Sequence, residues 1–418
     1  MTFKIICCDG GGIRGLLTAR LIEDLDKKFQ IIKRTNGFAG TSTGGLLALG
    51  MAHGVPISKI VDLYKKEGAN IFIVHSLLQN KYKTGICDFP VPKLTQELDR
   101  QFQIQITKKT SRIAGISTEG ISSQGMPQDI TLSKMIGRYR NDGIQHFGSN
   151  EISLQNISRA RGFSAQNDEP LGRPGLTGAR YYSCGLKKIL QELFSDAQLS
   201  SSGCFIAINA AQLWNENNQS WLPCTFSNLP ENPFRNISMV DAAMATSAAP
   251  TYFPPYRIQV NSTDFGYFVD GGVFANNPSM TALTEALSLK GISGPTDIRM
   301  LSVGTGDMSN GVTSINFDNY APLSWGIKSW LWPLRWGNKD EVPPAALLML
   351  IFETTAKMAE FQAEKILGKN YLRANFTLSK PFDIDNWQDI ETLEAEVDKY
   401  LQTPDWERIC NQVKRLWI

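Results

Sequence analysis

The stretch Gly40-Thr41-Ser42-Thr43-Gly44-Gly45 constrains this chain more than any other. A short apolar run, Gly37-Phe38-Ala39, leads into it, and a helical run from Leu46 to Ala52 leads out. The pattern reads as strand, sharp turn and helix. A serine in G-x-S-x-G at such a turn is held in a strained backbone, and the flanking Gly40 and Gly44 let the chain fold back without a Cβ clash. That geometry lifts the Ser42 hydroxyl clear of the sheet. It also aims the partial positive charge of a helix N-terminus at the place where an attacking serine builds negative charge. The plainer alternative is a Gly/Ser/Thr loop joining a strand to a helix, and position alone does not separate the two.

A serine hydroxyl is a poor nucleophile until a base takes its proton, so the next question is which residue could do so. The chain has only three histidines, His53, His75 and His146. None lies late in the sequence, where the order Ser, Asp/Glu, His of an α/β-hydrolase would need one. His53 ends the helix that starts at Ser42, about 12–15 Å away along the helix. Beside Gly54-Val55-Pro56 it reads as a surface residue favourable to the helix dipole. A carboxylate is left as the direct partner.

Phe3 to Cys8 is a short apolar run that ends in Asp9-Gly10-Gly11-Gly12-Ile13-Arg14-Gly15, after which Leu17, Leu21, Leu25 and Phe29 recur every four residues. A strand, a glycine loop and an amphipathic helix, followed directly by the strand and helix of the serine turn, predict an α/β protein with a parallel sheet covered by helices. The loop formally matches G-x-G-x-x-G. A dinucleotide site also needs an acidic residue near the end of the next strand, and residues 30–38 carry none. A better account is an oxyanion hole built from successive backbone N–H groups of Gly11 and Gly12 at a helix N-terminus. For any single glycine a tight packing turn explains the residue as well.

Further along, Pro56 to Lys66 reads as an amphipathic helix, and residues 105–180 change to a polar, Gly- and Asn-rich composition with few periodic apolar positions, which reads as an insertion or cap. Residues 204–210 and 220–226 read as a hairpin-like strand pair. Met239 to Ala249 is a helix of small residues stopped by Pro250. Phe265 to Val269 then delivers Asp270 at a strand end, and Gly271 and Gly272 turn the chain away. Sites in open α/β sheets form at the carboxyl ends of strands, which makes Asp270 the candidate base. Asp9 also ends a strand, and its place ahead of the glycine loop points to a structural role. Residues 345–367 and 391–417 are expected to be helical.

At 418 residues the chain can bury a large core, and a net charge of +2 from 42 basic and 40 acidic residues supplies no field for a nucleic acid. The seven cysteines form no C-x-x-C pair and are expected to be reduced, buried thiols; no metal site is expected. The segment ahead of Phe3 leaves no room for a signal peptide, and the apolar run from Ala345 to Phe352 is far short of the roughly 18 residues of a spanning helix. The expected location is cytoplasmic or peripheral to a membrane. Export as an effector by a route other than Sec stays open. Trp325, Trp330, Trp332 and Trp336, interleaved with Lys328 and Arg335, suit either a membrane interface or the packing of a late helical region.

With the Gly10-Gly11-Gly12-Ile13-Arg14-Gly15, Gly40-Thr41-Ser42-Thr43-Gly44 and Asp270-Gly271-Gly272 motifs in this order, the chain resembles the patatin-like phospholipases; Ala245 to Pro254 is similar to a fourth signature of that family. The resemblance covers residues 3–85 and 185–305. It implies a three-layer α/β/α fold with a mainly parallel sheet, Ser42 as nucleophile and Asp270 as general base. It implies backbone N–H groups of Gly10, Gly11 and Gly12 as oxyanion hole, with Arg14 supporting that loop, and no cofactor. The implied activity is phospholipase A or lysophospholipase hydrolysis of membrane lipids. The resulting division is a catalytic domain at 1–310, with the 105–180 insertion, and a mainly helical region at 311–418. The competing readings are a low-turnover lipid-binding or storage protein on the same fold, and an effector phospholipase switched on by a cyclic nucleotide or a host protein.

Overall fold

The computed structural model describes residues 2–73, 178–308, 311–312, 325–331 and 342–418. All of them belong to one contact unit made of Met1–Asp88 and Gly172–Ile418. Its centre is an eight-stranded sheet. Strand β1 (Phe3–Cys8) lies in the middle because its last four residues, Ile5 to Cys8, are apolar without interruption and wholly buried, as a strand covered on both faces must be. Beside it run β2 (Gly37–Thr41) and β3 (Phe205–Asn215) on one side, and β7 (Ile298–Val303) and β8 (Tyr371–Ala374) on the other, all in parallel. Three further strands are antiparallel: β4 (Ser220–Ser227) and β6 (Thr263–Asp270) pair with β3, and β5 (Tyr256–Val260) pairs with β6. The sheet is thus parallel in its middle and antiparallel where the hairpins add to it.

The alternation of side chains along each strand divides the core into two layers. Ile6 and Cys8 of β1, Ile206 and Ile208 of β3, and Leu301 and Val303 of β7 join one apolar cluster. To that face pack α1 (Gly15–Phe29), α2 (Thr43–Ala52), α3 (Ile57–Ile71), α4 (Cys184–Phe194) and α5 (Met239–Thr246). Ile5, Cys7, Phe205, Ala207, Ile298 and Met300 point the other way. They meet α7 (Ser279–Ala286), which follows the single turn α6 (Gly272–Ala275), and the far end of α9 (Ala346–Leu367), through Ala363 and Leu367. This is the three-layer α/β/α arrangement.

The chain after residue 342 completes that unit. β8 extends the sheet, and α10 (Ile390–Tyr400) and α11 (Pro404–Trp417) pack with α1 in the first cluster. Trp406 donates its indole N–H to Asp24 at 2.8 Å, and Trp417 donates to Thr35 at 3.0 Å. β5 and β8 escaped the sequence reading. β5 is short and only one of its residues, Ile258, is buried; β8 is four residues long and carries the charged Arg373.

Five cysteines, 7, 8, 204, 224 and 410, are free thiols, whereas Cys184 is in a disulfide, which corrects the expectation of reduced thiols throughout. The polar stretch up to residue 177, His75, His146, Trp332, Arg335, Trp336 and the side chain of Lys328 lie outside the described residues. Among the described residues no helix is long and apolar enough to cross a membrane.

Candidate active site

Sheet register brings the serine and the aspartate together. Thr41, the last residue of β2, stands opposite Asn209 of β3, and Asp270, the last residue of β6, stands opposite Ala210. The two chains therefore leave the sheet at adjacent rungs of one strand, with Ser42 and Asp270 at the exit points. On the other side of β2, Cys8 is level with Gly40, so the glycine loop after β1 opens beside the serine turn.

Ser42 has φ 55° and ψ −128°, a conformation that side-chain-bearing residues rarely adopt and that surrounding contacts must hold. Its N–H donates to Thr246 Oγ1 at 2.8 Å, and that hydroxyl donates to the Asn209 carbonyl at 2.6 Å. Thr41 Oγ1 donates to the Ala275 carbonyl at 2.7 Å and accepts from Asn209 Nδ2 at 3.0 Å. Gly44 is required by space: a Cβ there would stand 2.1 Å from the Cys8 carbonyl oxygen. The turn is thus clamped between β1, β3 and the end of α5.

Asp270 is buried, 1% exposed. Oδ1 accepts the N–H of Gly272 at 2.8 Å, and Oδ2 has no hydrogen-bond partner among the described residues. Burial pushes its pKa up to about 7, and the nearby Ser42 hydroxyl and the Gly272 N–H offset part of that rise. Its backbone N–H donates to the Ala248 carbonyl at 3.0 Å. The segment Ala245 to Pro254 accordingly holds both residues, Ser42 through Thr246 and Asp270 through Ala248.

In the glycine loop, the Gly10 N–H is already spent on the Asn276 carbonyl at 3.0 Å. The N–H groups of Gly11 and Gly12 make no hydrogen bond among the described residues, and both glycines line the same cavity as Ser42 and Asp270. Thr43, whose N–H follows Ser42 directly, lines it too. Gly12 sits at φ 59°, and a Cβ on it would meet the Ile384 carbonyl oxygen at 2.0 Å, so only glycine allows the turn. Arg14 is buried and ties the loop to the β7 exit by donating to the Gly306 carbonyl at 3.1 Å. Asp9 is engaged from behind: Arg373 of β8 donates to its Oδ2 at 2.6 Å and to Ser302 Oγ at 2.8 Å. Burial raises the pKa of Asp9, and Arg373 opposes that rise. Gly271 and Gly272 start α6 directly after Asp270. His53, in contrast, is exposed at the end of α2, with its ring 5.7 Å from that of Phe194.

The cavity opens to solvent and, with that opening included, encloses about 1000 Å³. Besides Ser42, Thr43, Tyr64, Ser247, Tyr252, Asp270 and Asn276, its walls are apolar, among them Leu46, Leu63, Phe72, Leu186, Leu190 and Phe352. Such a chamber accepts a hydrocarbon chain and presents its end to the serine. Thr246, Asn209, Asn276 and Arg373 were missed by the sequence reading as members of the site. The signal for Thr246 was present in the Ala245 to Pro254 motif; for the others only the fold supplies it.

Sequence comparison finds relatives of this chain among phospholipases and patatin-like proteins. The chain is 26% identical over 320 residues to a cGAMP-activated phospholipase of Vibrio cholerae, covering 72% of this chain and 64% of that protein. It is 23% identical over 378 residues to a cGAMP-activated phospholipase of Pseudomonas aeruginosa, covering 89% and 78%. It is 24% identical over 286 residues to Patatin-like protein 2 of Arabidopsis thaliana, covering 63% and 64%. The chain thus spans a little under two thirds of the length of the Vibrio and Arabidopsis proteins. Among solved structures, VipD from Legionella pneumophila matches with a TM-score of 0.31 at 12% identity, covering 99% of this chain and 79% of that one. The family model described as patatin-like phospholipase matches residues 6–283, and the chain belongs to the patatin-like phospholipase family.

Proposed function

We propose that this chain is a lipid acyl hydrolase of the phospholipase A or lysophospholipase type, working through a Ser42–Asp270 dyad and an acyl-enzyme. The observation that carries the reading is Ser42, held at positive φ beside a buried aspartate whose Oδ2 has no hydrogen-bond partner among the described residues, at the polar end of a largely apolar chamber. Asp270 Oδ2 takes the Ser42 proton as Oγ bonds to the ester carbonyl carbon. The oxyanion is met by the N–H groups of Gly11 and Gly12. When the tetrahedral intermediate collapses, the alkoxy leaving group departs with the proton from Asp270, and the acyl group stays on Ser42. Water, deprotonated by the same carboxylate, then attacks the acyl carbon, and Ser42 Oγ leaves with the proton from Asp270 as the fatty acid is released. In the test, Ser42→Ala and Asp270→Asn each lower hydrolysis of a phospholipid by several orders of magnitude with the fold intact, and the double variant is little worse than either alone. Full activity in Asp270→Asn would overturn the assignment of the base, and a storage protein would show no serine-dependent turnover at all.

A second layer of the proposal is activation by a ligand, supported by the two relatives named as cGAMP-activated. Under it, turnover by the full chain rises on adding a cyclic dinucleotide. Equal rates with and without the nucleotide would remove this layer and leave the dyad standing.

A further inference from the structure

α9 is apolar on two faces. One face is buried through Leu348, Met349, Phe352, Ala359, Ala363 and Leu367, and Phe352 forms part of the wall of the catalytic cavity. The other carries Leu347, Leu350, Met358 and Phe361, spaced by three, eight and three residues, so that they fall on one side of a 3.6-residue helix. These side chains are exposed, Leu350 by 48% and Met358 and Phe361 by 56% each. The stripe ends at Lys365, whose ammonium lies 5.5 Å from the centre of the Phe361 ring. From Leu347 to Lys365 it runs for about 27 Å. α8 (Ile327–Leu331) packs near α9 and adds Ile327, 80% exposed, and Leu331. Thr354 lies within the stripe, and Glu353, Lys357, Glu360 and Glu364 flank it; an exposed apolar stripe of this length still points to contact with a second apolar medium.

We infer that the outward face of α9 docks on the surface of a phospholipid bilayer. The inference rests on the lipid-hydrolase reading and names the surface from which that substrate would come. Three observations choose the bilayer over a second copy of the chain. Four half-exposed side chains on a single convex helix offer on the order of a few hundred Å², well below the roughly 800 Å² per partner of a stable protein interface. Exposed Lys365 and Lys369 at the end of the stripe suit anionic headgroups, with their stems lying along the apolar face. The same helix supplies Phe352 to the cavity wall from its buried face, so the docking stripe and the chamber are joined through one element. Of the tryptophans singled out in the sequence, Trp325 and Trp330 are half-buried and pack edge to face, with ring centres 5.0 Å apart.

The experiment measures partition of the full chain onto vesicles of phosphatidylcholine and phosphatidylglycerol by sedimentation. It uses the Ser42→Ala background, so that binding is read without turnover, and compares Leu350→Glu/Met358→Glu/Phe361→Glu with a milder Leu350→Ser/Met358→Ser/Phe361→Ser set. Partition is expected to fall at least tenfold in the first set and less in the second. With Ser42 restored, hydrolysis of vesicle lipid falls in parallel while a short, water-soluble ester is cleaved at the unsubstituted rate. Unchanged partition in both sets overturns the inference, as does a self-association of the unsubstituted chain, seen by light scattering, that the substitutions abolish. Vesicle binding through α9 without any serine-dependent hydrolysis would leave the docking surface standing and remove the lipase reading.

Discussion

An aspartate in water is nearly always ionised at neutral pH and too weak a base to draw a proton from a serine. Burial of Asp270 changes both properties, since a pKa raised to about 7 makes its ionised form a stronger proton acceptor and leaves part of the population protonated at neutrality. kcat/KM for a soluble ester should therefore rise with pH, bend near pH 7 and level off above it; a profile flat from pH 5 to 9 would exclude Asp270 as the titrating base. The same shift has a stability consequence of definite sign. The folded pKa lies above the unfolded one, so the native state binds the extra proton between about pH 4 and 7, and stability is lost as pH rises through that window. Asp270→Asn cannot titrate and escapes that loss. Its Tm should exceed that of the unsubstituted chain at pH 8, by a margin that shrinks towards pH 4, with a free-energy difference on the order of 4 kcal/mol at full ionisation. Scanning calorimetry at the two pH values reads this directly.

At the scale of elements, the site is a set of strand and helix ends held by a few polar bonds. Thr246, at the C-terminal end of α5, holds the Ser42 N–H. Thr246→Val keeps the shape and removes the acceptor, so kcat should fall and stability should drop by about 1–3 kcal/mol, while Thr246→Ser restores both. Retention of full kcat in Thr246→Val would mean that the strained turn holds without this bond. The glycine loop makes a second case. Gly11 has an extended backbone that tolerates a side chain, and an added Cβ would press on Thr305 at 2.5 Å. Gly11→Ala should displace the loop and reduce kcat more than it raises KM, by roughly the 2.7–4 kcal/mol of one oxyanion donor. An effect confined to KM would place the loop in binding rather than in transition-state stabilisation.

The whole molecule explains why the last fifty residues matter to a site assembled mainly from earlier segments. β8 carries Arg373 to Asp9, Ile384 accepts the Ile13 N–H at 2.8 Å, and α11 closes the first core layer with Trp406 and Trp417 fully buried. Trp417→Ala removes a large buried side chain and leaves the Thr35 hydroxyl without its indole donor. It should cost about 3–5 kcal/mol in urea denaturation, with kcat of the folded fraction unchanged. A loss below 1 kcal/mol would show that α11 adds little to the core.

What the sequence determined by itself was local chemistry and the order of elements. The glycine motif, the Ser42 turn, Asp270 at a strand end and the scarcity of histidine were all readable because backbone sterics and helix periodicity act over a few residues. The parallel strands β1, β2 and β7 were visible as short apolar runs for the same reason. Only the tertiary structure decided that β3 is the shared template setting Thr41 and Asp270 at adjacent rungs, that the Gly10 N–H is already taken, and that Arg373 occupies Asp9 from 364 residues away. It also decided that Leu350, Met358 and Phe361 of α9 stay half-exposed. These facts depend on strand register and on which faces meet, and those are fixed by the packing of segments far apart in the chain, whose spacing in sequence carries no record of it.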